Sequence, residues 1–138
     1  MVYLTRKLEF SASHLYHNPA MSAEENRRVF GKCNNPHGHG HNYTLEVTVA
    51  GEPDPVTGMV FDIKRLKDIL NAAVVRPMDH RFLNHEVPPF DHIVPTTENI
   101  AVEIWKRLHS RIDLPNARLK NVRLYETADL YVDYGGEA

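Results

Sequence analysis

A single cysteine, Cys33, in 138 residues removes any intrachain disulfide framework. Apolar runs are only a few residues long, far short of the ~20 that a membrane-spanning helix needs. Neither charge sign dominates. Sixteen Lys+Arg against eighteen Asp+Glu leave a net charge of -2, so no global basic field exists to hold nucleic acid or an anionic membrane. Met1 to Lys7 lacks a charged segment followed by an apolar signal core. Internal repeats, linkers and low-complexity stretches are missing too. The 42% apolar and 25% charged content, with 7 Gly and 9 Pro, is ordinary for a globular chain. These absences lead to the expectation of a cytoplasmic protein with no membrane and no nucleic-acid partner. One domain over 1–138 is expected, since length over roughly 150 is the soft prior for domain count.

The chain does have periodicity. Val2 to His14 reads as a strand, with Leu4, Leu8, Phe10 and Ala12 on one parity and Arg6 intruding. Asn42 to Gly51 alternates more cleanly, and Met59 to Phe61 reads as a short strand after the turn cluster at Gly51–Pro55. Asp62 is a candidate N-cap for a helix carrying Ile63, Leu66, Ile69, Leu70 and Ala73, closed at Arg76-Pro77. A second helix starts at Thr96 or Thr97, with Ala101, Ile104, Trp105, Leu108 and Ile112 as its apolar stripe. Lys120 to Thr127 and Leu130 to Tyr134 complete the order strand-strand-helix-helix-strand-strand. This is an α+β domain, a four-stranded antiparallel sheet with two helices on one face. Apolar residues on both parities of Val122-Arg123-Leu124-Tyr125 suggest that the open sheet face is covered. Closure or pairing is the usual remedy for free edges, so a homo-oligomer with sheets joined into a barrel is expected.

The nine histidines are unevenly placed. Leu15 to Gly38 reads as a long connection between two strands, and such connections are usually functional. If the strands pair as a wide hairpin, His14 at the end of the first lies beside His39 and His41 at the start of the second. Residues two apart in a strand share a face, so three imidazoles converge. Three neutral nitrogen donors with one open position suit catalytic zinc, which activates bound oxygen. A solvated Gly/His loop is the alternative that spacing alone leaves open. His17, His85, His92 and His109 read as surface residues.

Cys33 lies in the same connection. Asp79-His80 is its natural partner, the aspartate fixing a histidine tautomer and the histidine relaying a proton to the thiol. A turn after Pro77 and a packed, inert cysteine are the competing reading. Glu126 shares parity with Val122 and Leu124, either at the strand rim or as a bidentate acceptor for a guanidine-like ring edge.

Phe10-Ser11-Ala12-Ser13-His14, the run Cys33-Asn34-Asn35-Pro36-His37-Gly38-His39-Gly40-His41-Asn42-Tyr43, Met78-Asp79-His80, Pro95-Thr96-Thr97-Glu98-Asn99 and Leu124-Tyr125-Glu126-Thr127 resemble, in order, the 6-pyruvoyltetrahydropterin synthase family. The resemblance implies the tunnelling fold (T-fold), with a homohexamer of two stacked trimers and active sites between subunits. It implies His14, His39 and His41 as Zn2+ ligands, Cys33 as catalytic proton acceptor and Asp79 with His80 as its relay. Glu126 would anchor the pterin's amino-pyrimidine edge and share in the relay, and Thr97 and Glu98 would line the pterin pocket. His37 receives no role. The implied reaction converts 7,8-dihydroneopterin triphosphate to 6-pyruvoyltetrahydropterin with loss of triphosphate. Arg27, Arg28 and Lys32 are candidates for the triphosphate, or else a solvated basic stretch. A related branch, 6-carboxytetrahydropterin synthase of the queuosine and deazapurine path, uses the same metal site and substrate but releases a two-carbon aldehyde. The five-residue gap between Cys33 and His39 resembles the pyruvoyl branch. A third relative carries glutamate in place of the cysteine, which Cys33 argues against. A non-catalytic metal- or pterin-binding module on the same fold is the reading from outside enzymology.

Overall fold

Strand β1 (Val2–His14) pairs antiparallel with β2 (His39–Gly51) along its whole length, from Val2 opposite Gly51 to His14 opposite His39. The computed structural model describes residues 1–137. β5 (Ala117–Thr127) pairs with the far side of β2, and β6 (Leu130–Tyr134) folds back on β5 after the tight Ala128-Asp129 connection. These four long strands match the expected sheet. Two-residue strands extend it to six: β3 (Arg81–Phe82) runs parallel to β1 at Ala12 and Ser13, and β4 (Asp113–Leu114) pairs with the start of β5.

Alternation sets the two faces. Phe10, Tyr43, Leu45, Val47, Val49, Val122 and Leu124 point to the helices and are buried. A bulge opposite Thr48/Val49 inserts Lys120, so that Leu119 stays on the buried side with Val122. The helices over this face are α2 (Ile63–Leu70), extended through a π turn Asn71–Val75 into α3 (Arg76–Met78), and α5 (Thr97–Leu108). Asp62 caps α2, its carboxylate accepting from the Lys64 N–H at 3.0 Å, and Thr96 caps α5, its hydroxyl accepting from the Asn99 N–H at 3.1 Å. α4 (Leu83–Glu86) is one short turn. No helix among the described residues is long and apolar enough to cross a membrane.

The structure corrects three expectations. Met59 to Phe61 is not a strand: Val60 and Phe61 are buried, but the segment is held by the Asn116 side chain, which donates to the Glu52 and Val60 carbonyls, and it meets no strand edge. Arg76-Pro77 does not end the helix. The π turn just before it widens the ladder, so the proline, which has no N–H to donate, opens the final turn instead of breaking a regular one. The 15–38 segment is not bare loop, for it contains α1 (Ala23–Phe30) and a 3-10 turn, Gly31–Asn34. The sheet face away from the helices carries Arg123, Tyr125, Tyr131 and Asp133. Arg123 pairs with Asp133 at 2.8 Å and stacks on Tyr131, and Tyr125 packs on Tyr131, so the side chains there satisfy one another.

Candidate metal centre

The β1–β2 register brings the histidines together. His14 faces His39 directly, Ala12 faces His41, and the shared parity turns all three rings to the helix side. Gly38, with φ +70, makes the turn that starts β2, and a Cβ there would press on the His14 carbonyl at 3.1 Å. One ligand atom from each of His14, His39 and His41 lies within 4.8 Å of the others. His14 Nε2 and His39 Nε2 are 3.2 Å apart. The rings meet edge-on, at 65° for His14 and His39 and near 90° for the other two pairs, with centroids 4.7, 5.2 and 5.0 Å apart.

Second-layer contacts orient the cluster. His14 is fully buried, and its Nδ1–H donates to the Pro95 carbonyl at 2.7 Å, which leaves the Nε2 lone pair facing His39. The Tyr43 hydroxyl lies 3.3 Å from the same Nδ1, and the Tyr43 ring stacks on Phe10. Burial drives the His14 pKa down to about 4, the Pro95 bond opposes this, and the other two imidazoles reinforce it. His41 is lowered chiefly by burial, against the pull of Glu126. Burial thus favours the neutral form of His14 and His41, the protonation state of a metal ligand. His41 Nε2 is buried without a hydrogen-bond partner, an orphan acceptor that a cation would satisfy. Converging imidazole nitrogens, one of them without a partner, fit a divalent ion such as zinc.

Around this core the other sequence candidates divide. The Glu126 carboxylate lies 3.3 Å from His41 Nε2 and 3.8 Å from His14 Nε2, on the same face as the parity of Leu124 requires. Cys33 is half-buried on the 3-10 turn, and its carbonyl accepts from the Tyr16 N–H at 2.7 Å. Burial lifts the Tyr16 phenol to about 12, with Glu126, Cys33 and Glu98 pushing the same way, so these four side chains share one neighbourhood. Thr97 opens α5 beside Pro95 and is buried with an unpartnered hydroxyl, while Glu98 in the same first turn is exposed.

Asp79 and His80 sit elsewhere. The Asp79 carboxylate accepts from the Ser11 N–H at 2.8 Å and the His80 N–H donates to the Ser11 carbonyl at 2.6 Å, fixing the pair to the outer edge of β1. Asp79 and His80 Nδ1 are 3.0 Å apart, and the His80 side chain is 82% exposed. His80 takes φ +60, uncommon for a non-glycine residue, which aims its ring outward. The Ser11 bond, then His80, holds the Asp79 carboxyl below its usual range. A groove of about 390 Å³ joins His80 to Ser11, Ser13, His41 and Asn42. No hydrogen bond among the described residues links this pair to Cys33.

Arg27, Arg28 and Lys32 are exposed, and Arg27 lines a cavity of about 510 Å³ with His17, Asn34, Asn84 and His85. His17, His37, His85, His92 and His109 are exposed. Sequence reasoning missed Tyr43, which the parity of His41 puts on the ligand face, and the Pro95 carbonyl, for which no side-chain pattern exists.

A family model described as 6-pyruvoyl tetrahydropterin synthase matches residues 3–137. The 6-pyruvoyl tetrahydrobiopterin synthase of Homo sapiens is 48% identical over 97% of this chain and 91% of its own length. The solved structure of Caenorhabditis elegans 6-pyruvoyl tetrahydropterin synthase superposes with a TM-score of 0.92 at 39% identity, covering 99% of this chain and 96% of that one. More distant is the 6-carboxy-5,6,7,8-tetrahydropterin synthase of Rickettsia bellii, 26% identical over 96% of this chain and 99% of its own length.

Proposed function

Because the chain belongs to the 6-pyruvoyl tetrahydropterin synthase family, we propose that it is a lyase converting 7,8-dihydroneopterin triphosphate to 6-pyruvoyltetrahydropterin with release of triphosphate. The observation that carries this reading is the convergence of the His14, His39 and His41 imidazoles, with the lone, half-buried thiol on the turn that bonds Tyr16. His14, His39 and His41 would hold Zn2+, which supplies the Lewis acidity that polarises the substrate's side-chain hydroxyls.

The chain's own groups supply the rest. Cys33 accepts a carbon-bound proton from the substrate side chain, and His80, held by Asp79, recycles it. Glu126, against His41, anchors the amino-pyrimidine edge of the pterin and shares in the relay. Thr97 and Glu98, at the start of α5, line the pterin pocket. The side-chain hydroxyls become carbonyls by elimination and tautomerisation, so no external redox cofactor is needed.

The exposure of His80, which has no hydrogen bond to Cys33 among the described residues, supports a relay contributed by a neighbouring subunit. Free edges support assembly as well. Among the described residues, β1 has no strand partner on its outer side before Ala12, and β6 pairs only with β5. Val2 and Tyr3 on one edge and Leu130 and Tyr131 on the other are exposed. A homohexamer of two stacked trimers, working in the cytoplasm, follows from the family reading.

Incubation of the metal-loaded protein with dihydroneopterin triphosphate tests the proposal through product identity. A pyruvoyl product with free triphosphate supports it. A carboxy product with acetaldehyde assigns the other branch, and no turnover with full metal occupancy leaves only a binding module.

A further inference from the structure

Tyr16 has no part in the chemistry above, yet it connects the two groups that do most of it. Its N–H donates to the Cys33 carbonyl at 2.7 Å, and its own carbonyl accepts from the Asn34 side chain at 2.8 Å. Its ring stands edge-on to His14, with centroids 5.3 Å apart and planes at 84°. On its other side the ring stands edge-on to Phe30, at 5.8 Å and 88°. Phe30 is the last residue of α1, and the turn bearing Cys33 begins at the next residue. One aromatic side chain therefore spans the distance from a metal ligand to the helix end that carries the thiol. Its chain neighbours Leu15 and His17 line the 510 Å³ cavity instead.

We propose that Tyr16 is a positioning residue whose ring is the spacer between the His14 side of the metal centre and the Cys33 turn, setting where the thiol stands relative to the substrate carbon. This rests on the reading of Cys33 as proton acceptor. A transfer from carbon needs the base within hydrogen-bond reach of the proton, and a displacement of one ångström costs about a hundredfold in rate. Both contacts are made by the ring body, so the hydroxyl is dispensable for this task.

The test uses Tyr16→Phe, Tyr16→Leu and Tyr16→Ala, each assayed for metal content, kcat, KM and the rate of iodoacetamide alkylation. Cys33 is the sole cysteine, so alkylation reads one site without turnover. Tyr16→Ala should keep its metal and its KM while kcat falls about a hundredfold. Tyr16→Phe should restore the rate, and Tyr16→Leu, which keeps apolar cover but shortens the spacer, should fall between and carries the test if the alanine variant does not fold. Alkylation should quicken severalfold in Tyr16→Ala as the turn is uncovered. An unchanged kcat in Tyr16→Ala overturns the proposal. So does a phenylalanine variant as impaired as the alanine one, which assigns the effect to the hydroxyl, or metal loss, which makes the ring a support of the ligand alone. Full activity in Cys33→Ala would remove the premise rather than the spacer, and alkylation would still report on the spacer.

Discussion

His14 is wholly buried, whereas His80, bonded to the same strand three residues earlier at Ser11, leaves 82% of its side chain in solvent. Both have a partner that fixes their orientation, the Pro95 carbonyl for one and Asp79 for the other. The difference lies in what surrounds them. His14 ends β1 on the helix side, enclosed by the Pro95 carbonyl, Tyr16, Tyr43 and β2, and His80 follows α3 at the outer edge of β1, where it is left largely to solvent. A site whose three ligand atoms already converge, one of them without a partner, is complete apart from its ion. A relay that is oriented but exposed, with no bond to its thiol, awaits a second surface.

The sharpest way to break that comparison is mutation of each half. Cys33→Ala should lose about a thousandfold or more of activity while retaining metal, since a general base typically contributes 10²–10⁴-fold; metal loss would make the thiol a ligand. Mixing follows as a test of where the relay belongs. Cys33→Ala and His80→Ala, inactive separately, should recover about a quarter of wild-type activity when refolded together, as random pairing in a symmetric assembly predicts. No recovery would place Asp79-His80 beside the thiol of its own chain.

Acid titration probes the buried half alone. The folded pKa of His14 is near 4, against 6.5 in its ordinary state, so below pH 6.5 the unfolded chain binds a proton that the native one refuses. Stability of the metal-free protein is thus full above pH 6.5 and falls toward pH 4, by on the order of 3 kcal/mol from this residue. His41, shifted in the same direction by burial, adds to the loss. Chemical denaturation at several pH values measures it, and a flat profile over that window would contradict the burial assigned to His14. A smaller effect belongs to the helix behind the thiol. Ser22 caps α1, its hydroxyl accepting from the Glu25 N–H at 3.1 Å, so Ser22→Ala should cost about 1 kcal/mol by thermal melting and leave metal content untouched.

The histidine triad was legible because it needs only strand period and one hairpin, both written in local alternation. Glu126 was legible for the same reason, its parity with Leu124. Helix starts at Asp62 and Thr96 declared themselves through capping chemistry, and Ser22 with Glu25 offered the same signal for α1 in a segment read as loop. What escaped depended on contacts distant in the chain. The exposure of His80 comes from how α3 meets the edge of β1, and the Pro95 bond joins residues 81 apart. The helix ran on past Pro77 because a π turn, invisible to apolar spacing, made room for it.

The central claim is that His14, His39 and His41 together hold one divalent ion. Elemental analysis of the purified protein, paired with the His39→Ala variant, reads it most directly. The account predicts zinc in equal number to chains, lost in the variant while the fold persists by circular dichroism. Metal content that is absent from the wild type, or unchanged in the variant, would contradict it.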